Sequence, residues 1–182
     1  NEALVNQVEN LPGVEGVDVF SALHVSGELF MEGDMNFLNG IPEKYADELE
    51  KNIVKGKATY EELKSGDKII VDRALLFFYP DLDVGDRLNL TVHDGDRTFE
   101  KEFEIAAIGE YRSGLTNYAY LIMAKEAVDQ MSEYNSSKSF HVFGDKDYDP
   151  KLHEALKEIV DASGRIELTT WKEHYEQWKS SQ

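Results

Sequence analysis

Three aspartates at alternate positions are the first residues of this chain whose types and spacing could do chemistry. Asp145, Asp147 and Asp149 are spaced like the opening ligands of a calcium-binding loop. Such a loop needs glycine at its sixth position and a bidentate glutamate at its twelfth, but these positions hold Pro150 and Leu156. A solvated turn that leads into a helix N-cap explains the aspartates better, so the sequence predicts no calcium site.

The histidines do not form a recognisable metal site either. His153-Glu154 begins like the helix of a zinc protease, but Lys157 stands where that motif needs its second histidine. The other histidines fall in separate predicted elements without paired spacing, and a surface or strand role is predicted for each of them: His24, His93, His141 and His174. The chain has no cysteine, which excludes disulfides, thiolate catalysis and cysteine-ligated metals.

Motifs for catalysis or cofactor binding are missing from the sequence. It contains no Gly-x-Ser-x-Gly, no phosphate-cradling glycine loop and no dinucleotide fingerprint. Carboxylates are too abundant for any pair of them to indicate acid-base catalysis. The sequence therefore predicts that the protein is not an enzyme and that it has no catalytic residues, no cofactor and no metal.

The charge balance limits the partners of the chain. Its 182 residues carry 36 acidic and 19 basic side chains, a formal net charge of -17. A chain this acidic repels the phosphates of nucleic acid and attracts cationic peptides or cationic protein surfaces. It starts at Asn1 and contains neither a signal peptide nor an apolar run long enough to span a bilayer, so we expect a fragment excised from a larger protein.

The best-defined local element is a β-hairpin within residues 82–109. Leu88, Leu90 and Val92 alternate with polar residues, and Asp94-Gly95 is typical of a tight turn. The return strand alternates apolar residues with glutamates and becomes apolar on both faces from residue 105 to residue 108, so we expect other elements to cover that end.

Helical and extended patterns surround the hairpin. The sequence predicts helices over 2–10, 42–52, 73–79, 124–131 and 149–162, with a capping box from Thr59 to Glu62. Strands are predicted over 14–20, 21–31, 35–41, 68–72, 118–123, 140–143 and 166–168. A last helix carries Trp171, Tyr175 and Trp178, which is typical either of packing on the domain or of an aromatic belt near a membrane. Together the elements predict an α+β fold.

The order of several short motifs resembles one known family. In chain order, the motifs are Leu11-Pro-Gly-Val-Glu-Gly-Val17, Gly40-Ile-Pro42, Val54-Lys-Gly-Lys57, Lys64-Ser-Gly-Asp-Lys-Ile-Ile-Val71, Leu82-Asp-Val-Gly-Asp-Arg-Leu88, the strand from Phe103 to Gly109, and Tyr120-Leu-Ile-Met-Ala124. This order is similar to the extracytoplasmic core domain of ABC-transporter permeases of the MacB-like, FtsX-like class. The resemblance covers nearly the whole chain, with Gly56-Lys57 where the family usually has Gly-Arg and no counterpart for residues 28–39.

The resemblance implies a two-lobed extracytoplasmic domain at the outer face of a bacterial cell membrane. One membrane-proximal lobe would combine residues 1–62 with 137–182, and a smaller β-rich lobe, residues 63–136, would be inserted between them. The first and last helices would lie side by side and continue into membrane helices. The domain would couple hydrolysis by a cytoplasmic ATPase to export, release or sensing of a peptide, lipoprotein or drug, through contacts with the substrate or with an adaptor protein.

A second class of function stays open from the residues alone. A secreted acidic hydrolase or carbohydrate-binding protein would use some of the carboxylates for acid-base work or sugar contacts. Membrane-spanning segments flanking the chain in its gene would favour the permease, whereas a secretion signal and a stop codon would favour this alternative.

Overall fold

A computed structural model describes residues 2–30, 36–111, 120–133, 137–143 and 149–163. The helices are α1 (Glu2–Glu9), α2 (Ala46–Lys51), α3 (Tyr60–Leu63), α4 (Lys125–Met131) and α5 (Pro150–Ser163), with 3-10 helices at Glu43–Tyr45 and Arg73–Phe77. The strands are β1 (Gly16–Ser26), β2 (Asn36–Ile41), β3 (Ile53–Gly56), β4 (Lys68–Asp72), β5 (Arg87–Asp94), β6 (Arg97–Gly109), β7 (Leu121–Ala124) and β8 (Ser137–Phe143). This content agrees with the predicted α+β class.

The chain divides into two compact units, Val19–Phe140 and a smaller one that joins Asn1–Asp18 to His141–Gln182. Within Val19–Phe140 the strand pairings close on themselves in the order β1, β2, β7, β4, β6, β5 and back to β1. The β2–β7 and β4–β6 pairs are parallel, and the other pairs of this ring are antiparallel. The ring forms a small barrel, which leaves these six strands without open edges where they pair.

Side chains that alternate along the strands fill the barrel. Every second residue of each strand points inward, and these residues make one core: Leu23, Val25, Leu38, Ile69, Val71, Leu88, Leu90, Val92, Phe103, Ile105, Leu121 and Met123. The opposite face of β4, β6 and β7 packs against α2 and α3 through a second core that includes Leu49, Tyr60 and Leu63. The apolar end of β6 is thus covered on both faces, as the sequence predicts.

The predicted lobe boundary between residues 62 and 63 does not separate two sheets. Residues 24–26 of β1 pair with residues 91–93 of β5, and Leu38 of β2 pairs with Leu121 of β7. Strands from both predicted lobes therefore contribute to one barrel core, because Leu23 and Val25 are buried beside Leu90 and Val92. The two-lobed arrangement with these bounds is not confirmed.

Two Gly-Asp turns hold the middle of β6. Gly66 and Gly85 have φ values of 87° and 94°, a region that L side chains avoid, and each precedes an aspartate that leads into a strand. The amide of Glu104 donates to the carbonyl of Asp67 at 2.8 Å, and the amide of Ile105 donates to the carbonyl of Asp86 at 2.8 Å. The repeated Gly-Asp motif of the sequence is therefore a strand-entry turn used twice around one strand.

Local signals located most elements, and the structure corrects the bounds or the type of some of them. The capping box at Thr59 is present, with its hydroxyl accepting from the amide of Glu62 at 3.1 Å. The stretches 14–20 and 21–31, predicted as two strands, form the single strand β1. Ile53 directly follows the helix predicted over residues 42–52 and begins β3, and the predicted helix over residues 73–79 is a shorter 3-10 helix. The strand predicted over 140–143 begins earlier, at residue 137.

The smaller unit contains α1 and α5. Gly13, with φ of 91°, ends the turn after α1, and a Cβ at this position would lie 2.9 Å from a carboxylate oxygen of Asp149. Asp149 in turn accepts from the amides of Lys151 and Leu152, at 3.1 and 3.2 Å. The strand predicted over 166–168 and the last helix lie outside the described residues, so the prediction that the first and last helices are neighbours stays a prediction.

Candidate functional site

Asp149 acts as a helix cap. Its carboxylate accepts from the first amides of α5, which is the N-cap role that the sequence favours over a calcium ligand. Asp145 and Asp147 lie outside the described residues. In the described ranges no group of three or more histidine, aspartate or glutamate side chains is arranged to hold a metal ion. His153 lies on α5, and its amide donates to the carbonyl of Asp149 at 2.9 Å.

Two histidines that the sequence places in separate elements meet on the outside of the barrel. The rings of His24 and His93 stack with centroids 4.6 Å apart, because β1 and β5 pair with these two residues in register. Ser26 lies 2.8 Å from Nε2 of His93, and the ring of Phe37 packs against His24 at 5.7 Å. His141 belongs to β8, whose described backbone gives no side-chain placement for it, and His174 lies outside the described residues.

The environment of His24 favours its neutral form. Burial lowers the pKa of His24, and the positive charge that His93 can carry lowers it further. Nε2 of His24 is buried and has no hydrogen-bond partner among the described residues, so a proton there would stay unsatisfied. Protonation of His24 is therefore unfavourable, and simultaneous protonation of His24 and His93 is more unfavourable still.

We expect acid to weaken the fold through this pair. Because the pKa of His24 is lower in the fold than its ordinary 6.5, the unfolded chain binds the proton first. Stability should be unaffected by His24 above about pH 6.5 and should fall as the pH drops from there toward the lowered pKa of the folded state. Urea midpoints measured from neutral pH to mildly acid pH should fall less for His24→Gln than for the unchanged chain. Parallel curves would contradict this expectation.

The most unusual surface feature is a set of large apolar side chains in water. Among the described residues four large hydrophobic side chains are exposed, and three of them lie on two segments: Val54 at 53%, Phe77 at 86% and Phe78 at 68%. We call these three side chains the exposed apolar surface. The fourth, Phe37 at 36%, packs on His24 elsewhere on the barrel.

The sheet brings the two segments close together. Gly109 of β6 pairs with Ile53 of β3 on one side and with Asp72 of β4 on the other. Ile53 and Asp72 are therefore two strand spacings, about 10 Å, apart. Lys55 and Asp83 then form a 2.6 Å ion pair, and Arg73 lies 3.5 Å from the carboxylate of Glu110. The first pair ties the loop after the 3-10 helix to β3, and the second ties the start of that helix to the end of β6.

A buried cap and a buried anchor hold the two phenylalanines outward. The carboxylate of Asp72 accepts from the amide of Ala74 at 2.9 Å and starts the 3-10 helix. Burial raises the pKa of Asp72, although hydrogen bonds from the amides of Ala74 and Tyr111 oppose the rise. Leu75 is buried in the barrel core, and the amides of Phe78 and Tyr79 donate to its carbonyl. With three residues per turn, only the side of this short helix that carries Leu75 can face the core, so Phe77 faces water. Phe78 follows the helix as its C-cap and is exposed as well.

This surface has a partial signal in the sequence. Leu75, Leu76, Phe77 and Phe78 form an apolar run before Pro80, within the helix predicted over residues 73–79. A run of this length at three residues per turn cannot bury all its members against one core. The aromatic residues of the predicted last helix, Trp171, Tyr175 and Trp178, lie outside the described residues.

Comparisons with known proteins give matches among solved structures. No protein-family model and no curated protein matches the chain. Two of the similar solved structures are described as periplasmic or extracellular domains and a third as a domain of a putative permease protein. No helix in the described ranges is long and apolar enough to cross a membrane.

Three of these structures have low sequence identity to this chain. The periplasmic region of MacB from Actinobacillus actinomycetemcomitans shares 14% identity at a TM-score of 0.42, covering 88% of this chain and 71% of that one. The extracellular domain of the noncanonic ABC-type transporter YknZ from Gram-positive bacteria shares 16% at 0.45, covering 91% and 85%. A domain of a putative permease protein from Porphyromonas gingivalis shares 14% at 0.40, covering 85% and 72%.

Proposed function

We propose that the chain is the extracytoplasmic domain of an ABC-transporter permease. In this role it performs no chemistry itself. It binds a substrate or a partner protein outside a bacterial cell membrane and couples that binding to ATP hydrolysis by a cytoplasmic ATPase, through membrane helices of the intact protein. The outcome is export, release or sensing of a peptide, lipoprotein or drug.

The ordered motifs of the sequence carry this proposal. Three of their glycines, Gly56, Gly66 and Gly85, have positive φ values at the joints of the barrel. The three motifs that contain these glycines therefore occupy positions where the backbone favours glycine, which makes a chance match of the motifs in order less expected. The resemblance rests on structural determinants of the fold as well as on composition.

The construction of Val19–Phe140 suits a part that binds and transmits movement. A closed ring of strands with a continuous apolar core deforms little, because packed interiors have low compressibility. An exposed apolar surface on such a body offers a place for a partner contact. A strongly acidic surface would favour cationic or partly cationic partners.

The gene that encodes the chain tests the proposal directly. We expect its reading frame to continue into membrane-spanning segments before Asn1 and after Gln182, and an ATPase to co-purify with the intact protein. A secretion signal just before residue 1 and a stop codon just after residue 182 would overturn the proposal and favour the secreted hydrolase or carbohydrate-binding protein.

A further inference from the structure

We infer that the exposed apolar surface is a docking site for a basic, apolar polypeptide segment of a partner. The inference rests on the proposed function, which assigns the work of the domain to contacts outside the membrane. It adds the place of the contact, Val54 with Phe77 and Phe78, and the chemistry of the segment that binds there.

The surface has the energetics of a binding site. Each phenylalanine side chain that moves from water into a contact gains apolar transfer free energy in proportion to the area it buries. Aromatic residues are enriched at the cores of protein interfaces for this reason. Phe77 and Phe78 stand on a helix fixed by the buried Leu75 and by the cap of Asp72, so a partner does not have to order the backbone.

Charge decides which occupant fits. The loop that follows the phenylalanines carries Asp81, Asp83 and Asp86. Asp83 is paired with Lys55, and Arg73 lies beside Glu110, so Asp81 and Asp86 are the carboxylates of the loop outside these two ion pairs. The whole chain has a net charge of -17, so a second copy would be repelled, and so would an anionic bilayer surface. A segment that alternates lysine or arginine with large apolar residues satisfies both the apolar side chains and the acidic loop.

Binding of a synthetic amphipathic Lys-Leu peptide to the chain is the test. We expect the peptide to shift amide resonances of residues 52–56 and 73–86 in NMR spectra. The double variant Phe77→Ser, Phe78→Ser should weaken binding by about 10- to 100-fold, because each hot-spot side chain is worth more than 1 kcal/mol. Both side chains are exposed, so the variant should fold and unfold as the unchanged chain does.

Two controls separate this site from general attraction between charges. Phe37→Ser removes an exposed phenylalanine outside the surface and should leave peptide affinity within about twofold. Polylysine, which lacks apolar side chains, should no longer bind at high salt. Its affinity for the double variant should equal its affinity for the unchanged chain.

Three results would overturn the inference. They are equal peptide affinity for the double variant and the unchanged chain, binding to phosphatidylglycerol vesicles that depends on Phe77 and Phe78, and self-association of the chain that the double variant removes. None of these results touches the gene context that tests the proposed function, so the two can fail separately.

Discussion

Replacement of Asp94 by alanine is expected to lower the free energy of unfolding by about 3–5 kcal/mol, because it breaks a buried charge network. Asp94 is 1% exposed and accepts from the hydroxyl of Ser132 at 2.6 Å, from the amide of Glu133 at 2.8 Å and from Arg97 at 3.1 Å. Arg97 also donates to the carbonyl of Met131 at 2.7 Å. The aspartate thus ties the hairpin tip to the end of α4, and urea unfolding measures the loss.

The pH dependence of this variant gives a second readout. Burial raises the pKa of Asp94, but hydrogen bonds from Ser132, Glu133 and Arg97 together outweigh it and lower the pKa below the ordinary 3.8. A lowered folded-state pKa means that the contribution of Asp94 is complete above the unfolded pKa and is lost as the pH falls through the folded pKa. The stability gap between Asp94→Ala and the unchanged chain should therefore be constant near neutral pH and should narrow only in strong acid.

An exposed ion pair on the same hairpin is the matched control. Arg87 and Glu102 lie 2.9 Å apart, with 65% and 56% of their side chains exposed. Solvent screens such a pair, so Arg87→Ala should cost no more than about 1 kcal/mol. If Arg87→Ala and Asp94→Ala lower the urea midpoint equally, the hydrogen bonds of Asp94 stabilise the fold no more than an exposed ion pair does.

Local patterns in the sequence predicted the parts of the fold that local forces determine. The β5–β6 hairpin depends on the alternation of apolar and polar residues and on the turn at Asp94-Gly95, and its two strands pair with each other as predicted. Lys101 interrupts the apolar face of the return strand, and its ammonium lies 3.3 Å from the carboxylate of Asp67. The caps at Thr59 and Asp149 depend on neighbouring amides only and were predictable for that reason.

Pairings between distant segments were not predictable in the same way. The contact of His24 with His93 depends on the register of β1 against β5, and no spacing within the sequence encodes that register. The pairing of β2 with β7, across the predicted lobe boundary at residue 62, was not predictable from local patterns for the same reason. The exposed apolar surface was not predicted, because an apolar run ordinarily indicates a buried segment. The sequence does not show that residues 73–77 form a 3-10 helix.

The glycine of the Val54-Lys-Gly-Lys57 motif is expected to be the most restricted position of β3. Gly56 has φ of 80°, and a Cβ there would collide with the carbonyl oxygen of Ala106 and lie 3.0 Å from both Cα of Ala107 and a methyl of Val84. Two of these neighbours are backbone atoms of β6 and cannot move aside alone. Gly56→Ala should therefore lower the free energy of unfolding by about 2–5 kcal/mol, from left-handed strain plus overpacking. Urea unfolding followed by circular dichroism measures it.

Gly66 separates the two causes of that loss. It has φ of 87°, close to that of Gly56, but a Cβ at Gly66 meets no atom within 4 Å. Gly66→Ala therefore introduces the backbone strain without the collision and should cost about 1–2 kcal/mol. A larger loss for Gly56→Ala would assign the difference to the close approach of β3 to β6, which explains physically why this motif needs glycine. Equal losses for the two variants would mean that backbone strain alone accounts for the glycine, and that β3 can shift away from β6 without cost.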